Sequence, residues 1–470
     1  MTAAVAASDM SLAEPASERA ALNPRTLAML SAPILPLLLR LAWPNVLVML
    51  TQSSTGLIET FFVGKLGTDA LTGMALVFPG VMLMQMISAG AMGGGISSAI
   101  ARALGARRQD EADSLVLHAF IINGALGAIF SAIMLMFGRA IYTALGGHGG
   151  ALDAAMIYSN VVFTGNISLW LMNAFASAIR GAGNMLTPAL VNLVGALLLV
   201  PLSPALIFGI GPFPALGIAG GAYAFVTYNV AGALFLGWYT MSGRNLARLH
   251  LAKLRWPLFS GILRVGLVGT ISSVQTNLVI ICATALVGTR FGESAIAGFG
   301  TGVRLEYLLV PLVFGFGAPI VAMVGTNIGA GQGRRALQIA QMGAGMSFVV
   351  CEIIGLAAAV FPTPWLGLFS HNAEMLASGS AYLRIVGPLY GFFGMGLALY
   401  FASQGAGRLL VPLLAGLVRL LITLLFGWLA LAVTGSLDVL FAVLAFGLFA
   451  YGTIIAVVVG RGGWFRTARA

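Results

Sequence analysis

Three acids interrupt long apolar stretches of this chain: Glu59 before Thr60-Phe61-Phe62-Val63, Glu306 two residues after Arg304, and Glu352 four residues from both Phe348 and Leu356. A carboxylate surrounded by hydrocarbon costs several kcal/mol to keep ionised unless it is paired or hydrated, so each acid is a candidate for function. The chemistry open to such a group is to bind a proton in one setting and release it in another. The competing reading is a carboxylate hydrogen-bonded to fix the packing between helices. Arg304 and Glu306 are two positions apart, a spacing that does not face one side of a helix, so separate partners and a structural role are expected for Glu306. Glu352, alone on an otherwise apolar helix, is expected to have no direct role. The polar residues Gln52, Gln85, Asn123, Asn166, Asn173, Asn192, Ser203, Gln275 and Asn277 also stand in apolar runs. They could line a hydrated interior, or make interhelical hydrogen bonds worth about 0.6 kcal/mol each. Met82, Met84 and Met86 would add an adaptable apolar surface.

Other chemistries lack their residues. His118, His148, His250 and His371 are dispersed without metal-ligand spacing, and Cys282 and Cys351 lie within apolar stretches, so no metal, disulfide or cofactor is expected. Gly90-Ala91-Met92-Gly93-Gly94-Gly95 is not followed by Gly-Lys-Ser/Thr and sits inside an apolar run, which excludes a phosphate loop and with it an ATP-driven pump. No cluster of His, Asp or Ser suggests a membrane-embedded enzyme. The net charge of +10 comes from scattered Lys and Arg rather than a basic tract, so no nucleic-acid partner is expected.

The elements that hold these residues follow from composition. Hydrophobic residues make up 59% of the 470 and charged residues 8%, a balance that requires lipid as solvent. Apolar runs of about 20 residues must be helices, because lipid offers the backbone no hydrogen bonds. The pattern predicts spans beginning near residues 36, 70, 114, 154, 185 and 216, then near 257, 295, 337, 377, 409 and 437. With the N-terminus inside, Lys65, Arg139 and Arg290 are the only Lys or Arg in outer segments, while Arg102, Arg107, Arg108, Arg180, Arg244, Arg248, Lys253, Arg255, Arg334, Arg335, Arg408 and Arg461 fall inside. That asymmetry predicts a multi-pass protein of a bacterial-type inner membrane with both termini cytoplasmic. The expected organisation is a disordered cytoplasmic tail over 1–33, a six-helix lobe over 34–241, a cytoplasmic linker over 242–256, a second six-helix lobe over 257–462 and a tail over 463–470.

The two halves repeat at an offset of 224 to 225 residues. Arg180-Gly181-Ala182-Gly183 followed by Pro188 recurs as Gln404-Gly405-Ala406-Gly407 followed by Pro412, Leu66 to Gly73 recurs loosely as Phe291 to Gly298, and Arg40, Gly64 and Gly105 match Arg264, Gly288 and Gly329. An even number of spans per repeat makes the halves parallel. The fold class expected is therefore an all-α membrane protein of twelve transmembrane helices in two lobes related by a pseudo-twofold along the membrane normal, an arrangement used by transporters with a midplane site and rocking lobes.

Five segments in order resemble the multidrug and toxic compound extrusion (MATE) family, within the larger group of polysaccharide and lipid-precursor exporters. They are Leu57-Ile58-Glu59-Thr60 leading to Val63-Gly64-Lys65-Leu66-Gly67, the Arg180 to Pro188 motif, Leu206-Ile207-Phe208-Gly209, Leu216 to Ala222, and Arg304-Leu305-Glu306 with Asn327-Ile328-Gly329-Ala330-Gly331. The resemblance runs from about Leu38 to Arg461. It implies export of small, often cationic or amphipathic molecules driven by proton or sodium re-entry, in a monomer without enzymatic activity, and it implies a coupling role for the acid at Glu59. The chain departs from the family at Leu199 and Ser203, where an Asn and an Asp are usual, and at Asn277 and Phe393, where the sodium-driven branch has acids. Those departures favour protons over sodium. A flippase for a lipid-linked precursor, from the same superfamily, is the alternative, which short loops and few intramembrane Arg residues (Arg304, Arg384, Arg419) disfavour. A major-facilitator transporter is set aside because the Arg102 to Glu111 loop lacks that group's Gly-x-x-x-Asp-Arg pattern.

Overall fold

The computed structural model describes residues 23–464; residues 1–22 and 465–470, and the side chains at positions 50, 52–55 and 57, lie outside the described residues. All regular structure among the described residues is helical. A short helix α1 (Pro24–Ser31) precedes α2 (Ile34–Gly64), α3 (Thr68–Gly105), α4 (Gln109–Ala144), the bent α5 (Gly149–Thr164 and Asn166–Gly181), α6 (Leu186–Phe208) and α7 (Ile218–Met241). The second half holds α8 (256–291), α9 (293–329), α10 (Gly333–Val360), the five-residue α11 (Pro362–Leu366), α12 (Ala373–Ala406), α13 (Leu410–Thr434) and α14 (Leu437–Gly460).

Among the described residues nine helices are long and apolar enough to span a bilayer, and α5, taken as one span bent by 46°, makes ten; dividing the continuous Trp256–Gly329 run at Gly292 gives eleven, and the 31-residue α2, apolar over Ile34–Met49, is the twelfth. Gly292 has φ 76° and ψ −176°, a conformation open to glycine alone, and it turns the chain back between α8 and α9. The span starts lie within a few residues of those the sequence predicts. The largest differences fall where a polar first turn is already helical, as in Gln109-Asp110-Glu111-Ala112-Asp113 of α4, whose acids suit a helix N-terminus. The protein is thus a two-lobe, twelve-span bundle, α2 to α7 against α8 to α14.

Two stretches outside the predicted spans are held by hydrogen bonds to the bundle. Part of the expected disordered tail is α1: Asn23 accepts from the Arg25 N–H, Pro24 opens the helix, and Met29 is buried where its carbonyl accepts from Asn327 and Arg335. Met29 also fills the space over Gly183, so α1 touches both lobes. The linker after Met241 is tied to α4: Asp113 accepts from the Arg248 N–H at 2.8 Å, Gln109 donates to the Leu246 carbonyl at 2.6 Å, and His118 Nε2 accepts from the Arg255 N–H at 3.0 Å. His118 is fully buried and its Nδ1 meets the Ser114 carbonyl at 2.7 Å, so the histidine without a site in the sequence is a clamp on the linker. At the far end Trp464 is buried and donates to Ser403 Oγ.

The lobes meet on the face that carries the linker, along the second half of α3. There the repeat becomes contact. A Cβ on Gly105 would lie 2.0 Å from the Thr326 carbonyl, and a Cβ on Gly329 2.1 Å from the Arg102 carbonyl. Gly105 and Gly329 are repeat mates, as are Arg102 and Thr326, so α3 and α9 cross backbone to backbone about the pseudo-twofold. Around the crossing Arg102 donates to the Gly405 carbonyl at 3.0 Å, and Gln404 fills the space over Gly94 and donates to the Gly90 carbonyl.

Gly105→Ala is expected to pry this face apart. With Cys282 and Cys351 replaced by Ala and a reporter Ala101→Cys, which is buried in the crossing, maleimide labelling should speed up several-fold over the Gly105 background. Equal rates would show that the crossing does not hold the face closed. His118→Phe keeps a ring against Phe259 but strips the Arg255 N–H of its acceptor, which should cost about 1–3 kcal/mol and lower the melting temperature in detergent.

Candidate functional site

Glu59 stands one turn before the end of α2 and is buried against helices of its own lobe. Tyr158, in the first half of α5, donates its hydroxyl to Glu59 Oε1 at 3.3 Å. Opposite is Gly221 of α7, where an added Cβ would lie 3.3 Å from Glu59 Oε1, 3.7 Å from Ile207 and 3.9 Å from Ser203 Oγ. Ser203 is buried and its hydroxyl has no hydrogen-bond partner among the described residues. It sits between Pro201 and Pro204 of α6, which cannot donate to the carbonyls one turn earlier, so that segment is polar at its backbone as well. Four helices thus converge on one carboxylate whose single hydrogen bond among the described residues comes from a neutral donor. Glu59 forms no ion pair there. A charge so placed is costly, and a bound proton cancels it.

The second lobe repeats half of this and changes the rest. Tyr382 of α12 stands 224 residues after Tyr158 and donates to Glu306 Oε2, again at 3.3 Å. Glu306 comes from α9, not from the helix equivalent to α2, and its other oxygen accepts from Arg419 Nη2 of α13 at 2.7 Å. Both side chains of this pair are buried, 7% and 5% exposed. Arg419 also lies over the Phe393 ring. Arg304 points elsewhere, its guanidinium over Phe369 at 5.2 Å.

The polar residues singled out in the sequence are distributed through the bundle rather than gathered at one point. Asn166 ties α5 to α4 through the Gly127 carbonyl and Ser131, Asn173 ties α5 to α3 through Ser88, and Asn192 accepts from Tyr228 of α7. Asn123 donates to its own helix at Ala119 and keeps a buried oxygen without a partner. Gln275 packs on Gly416 of α13, and Gln85 is half-buried. Asn277 accepts from Tyr307 and reaches Met86 Sδ at 4.0 Å across the lobes. The side chain of Gln52 lies outside the described residues. Glu352 accepts from the Gly391 N–H at 2.8 Å, which anchors the 3-10 break in α12. Sequence reasoning missed Tyr158 and Tyr382. Their signal was the repeat itself, since both are tyrosines at the offset of 224.

The MatE family model matches residues 44–205 and 270–429, once in each lobe. The chain belongs to the MATE family. This MATE protein is 28% identical to the FAD transporter of Shewanella oneidensis over 80% of this chain and 82% of that one. It is 26% identical to the probable multidrug resistance protein NorM of Thermotoga maritima, over 80% and 81%. Its fold matches a multidrug resistance MATE family transporter of the MOP superfamily in its outward-facing conformation, with TM-score 0.85 and 22% identity over 96% of this chain and all of the other. It is a multi-pass membrane transporter and not an enzyme. Tyr158→Phe in this MATE transporter removes the hydroxyl that, among the described residues, supports Glu59. Substrate efflux from proteoliposomes should fall about 10-fold, the value of one hydrogen bond to a charged group, and an unchanged rate would take Tyr158 out of the site.

Proposed function

We propose that this MATE transporter is a proton-coupled antiporter that exports small organic, cationic or amphipathic compounds by alternating access, with Glu59 as the coupling acid. The observation that carries this reading is the isolation of Glu59 among the described residues: a buried carboxylate where four helices meet, with one neutral hydroxyl donor and no cation described beside it. Taking up a proton removes its charge and lets α2, α5, α6 and α7 pack around a neutral group; losing it asks for water or a cationic substrate. Protons are favoured over sodium because Ser203, Asn277 and Phe393 stand at positions where family members, the sodium-driven branch among them, carry further acids, and Na⁺ needs several oxygen ligands. The lobes 34–241 and 257–462 would rock about the linker 242–256. With both termini cytoplasmic, as the Arg distribution supports, the glycine crossing closes the inner face, in keeping with the outward-facing relative.

The FAD transporter of Shewanella oneidensis supports a second substrate reading, an anionic flavin nucleotide, to be assayed beside cationic dyes. The test is efflux from proteoliposomes under an imposed proton gradient or an imposed sodium gradient, for wild type and Glu59→Gln. The proposal expects efflux that follows the proton gradient and is lost in the variant. Unchanged transport by Glu59→Gln would remove the coupling role, and no transport of either dye or flavin would bring forward the flippase for a lipid-linked precursor.

A further inference from the structure

The two lobes solve one packing problem in opposite ways, and the difference is a charge. At the repeat offset of 224, Arg419 of α13 corresponds to Gly195 of α6. In the first lobe Gly195 leaves room for the Tyr228 ring of α7, which lies 2.1 Å from where a Cβ would be. The helix equivalent to α7 is α14, and both are 24 residues long. Tyr228 is the eleventh residue of α7, and the eleventh of α14 is Gly447, where an added Cβ would meet Arg419 Cγ at 3.5 Å. Glycine and bulk have therefore exchanged helices. The first lobe fills the space with a ring that carries no charge, so the fold does not require a guanidinium there.

Nor does it require an acid opposite. The position matching Glu306 in α3 is Val81 or Met82, depending on which offset is applied. The second lobe has acquired both members of an ion pair, and it retains the repeated tyrosine as donor to the carboxylate. Among the described residues a carboxylate with a tyrosine hydroxyl at 3.3 Å thus occurs in both lobes, without a cation in the first and with one in the second. Beside the pair lies a small cavity with apolar walls at Val279, Phe299 and Leu444, lined also by Thr423. The Thr423 hydroxyl is buried and has no hydrogen-bond partner among the described residues, so the wall that Glu306 and Arg419 share carries one more free oxygen.

We infer that the second lobe holds a monovalent-cation site whose occupant is the chain's own Arg419: the tethered guanidinium neutralises Glu306 permanently, and removing it opens the site to a proton or Na⁺. This deepens the cation-coupling reading above and rests on it, because it takes Glu306 out of the acids whose charge changes during transport. The groups facing Glu306 are Arg419 from α13, Tyr382 and Tyr390 from α12 and Tyr307 from its own helix, with Tyr451 of α14 facing Arg419. Arg419 is the only one of these that carries a charge to balance a carboxylate at neutral pH.

The experiment is difference infrared spectroscopy of the purified full-length protein in lipid at neutral pH, read at the carboxyl bands. Wild type minus Glu306→Gln should show the loss of an ionised carboxylate. Arg419→Met should gain one protonated-carboxyl band that disappears in the Glu306→Gln, Arg419→Met double variant. Adding Na⁺ to Arg419→Met separates the two cations: loss of the band identifies a site that accepts Na⁺, and persistence identifies a proton site. A folded Arg419→Met protein in which Glu306 stays ionised without Na⁺ would overturn the inference. So would a protonated Glu306 in wild type, a comparison that needs no Arg419 variant to fold. None of these readings involves Glu59, so a failure of Glu59→Gln to alter efflux is distinguishable from a failure here.

Discussion

Two helices can approach to backbone contact only where no side chain stands between them, and this transporter is organised around one such approach. Gly105 of α3 lies against the Thr326 carbonyl and Gly329 of α9 against the Arg102 carbonyl. In lipid, apolar side chains gain little by leaving the hydrocarbon, so lobes are joined by close van der Waals packing and by the few hydrogen bonds that short distances permit. The glycines supply the first and Arg102 and Gln404 the second. Because the contact is nearly the same read from either lobe, it defines the axis about which the halves are related.

The same solvent argument governs the charges. Away from the termini and loops, an acid must be neutralised by a partner or by a proton, and the two lobes display one of each kind of environment. Among the described residues Glu306 has a guanidinium at 2.7 Å and Glu59 only a phenol at 3.3 Å. Equivalent tyrosines serve both, which shows how a duplicated scaffold keeps its donor while the acid moves to a different helix. The polar residues around them, Asn166, Asn173 and Asn192 among them, tie neighbouring helices together and give each lobe the rigidity that rocking as a unit would need.

The ordered ends of the chain follow a related logic. Helix α1 and the linker lie at the face where α3 and α9 cross, and each finds partners in the bundle: the Met29 carbonyl takes a hydrogen bond from Asn327, and the Arg255 N–H gives one to His118. Pro24 and Asn23 begin a helix as any such pair would, and what makes it hold is the pocket at Gly183 that receives Met29.

The sequence by itself determined the number, order and near-start of the spans, the internal duplication and the family, because each is written in local hydropathy and in the spacing of glycines and prolines along one strand of text. It also marked Glu59, since an acid in an apolar run is conspicuous wherever it falls. Only the tertiary structure decided who meets whom. That Glu306 belongs with Arg419, 113 positions away, and not with Arg304 beside it, depends on the rotation of α9 against α13. That His118 holds the linker and Tyr158 the acid depends on which helix faces pack, and that choice is made by the summed fit of twelve helices, which no single stretch of sequence contains.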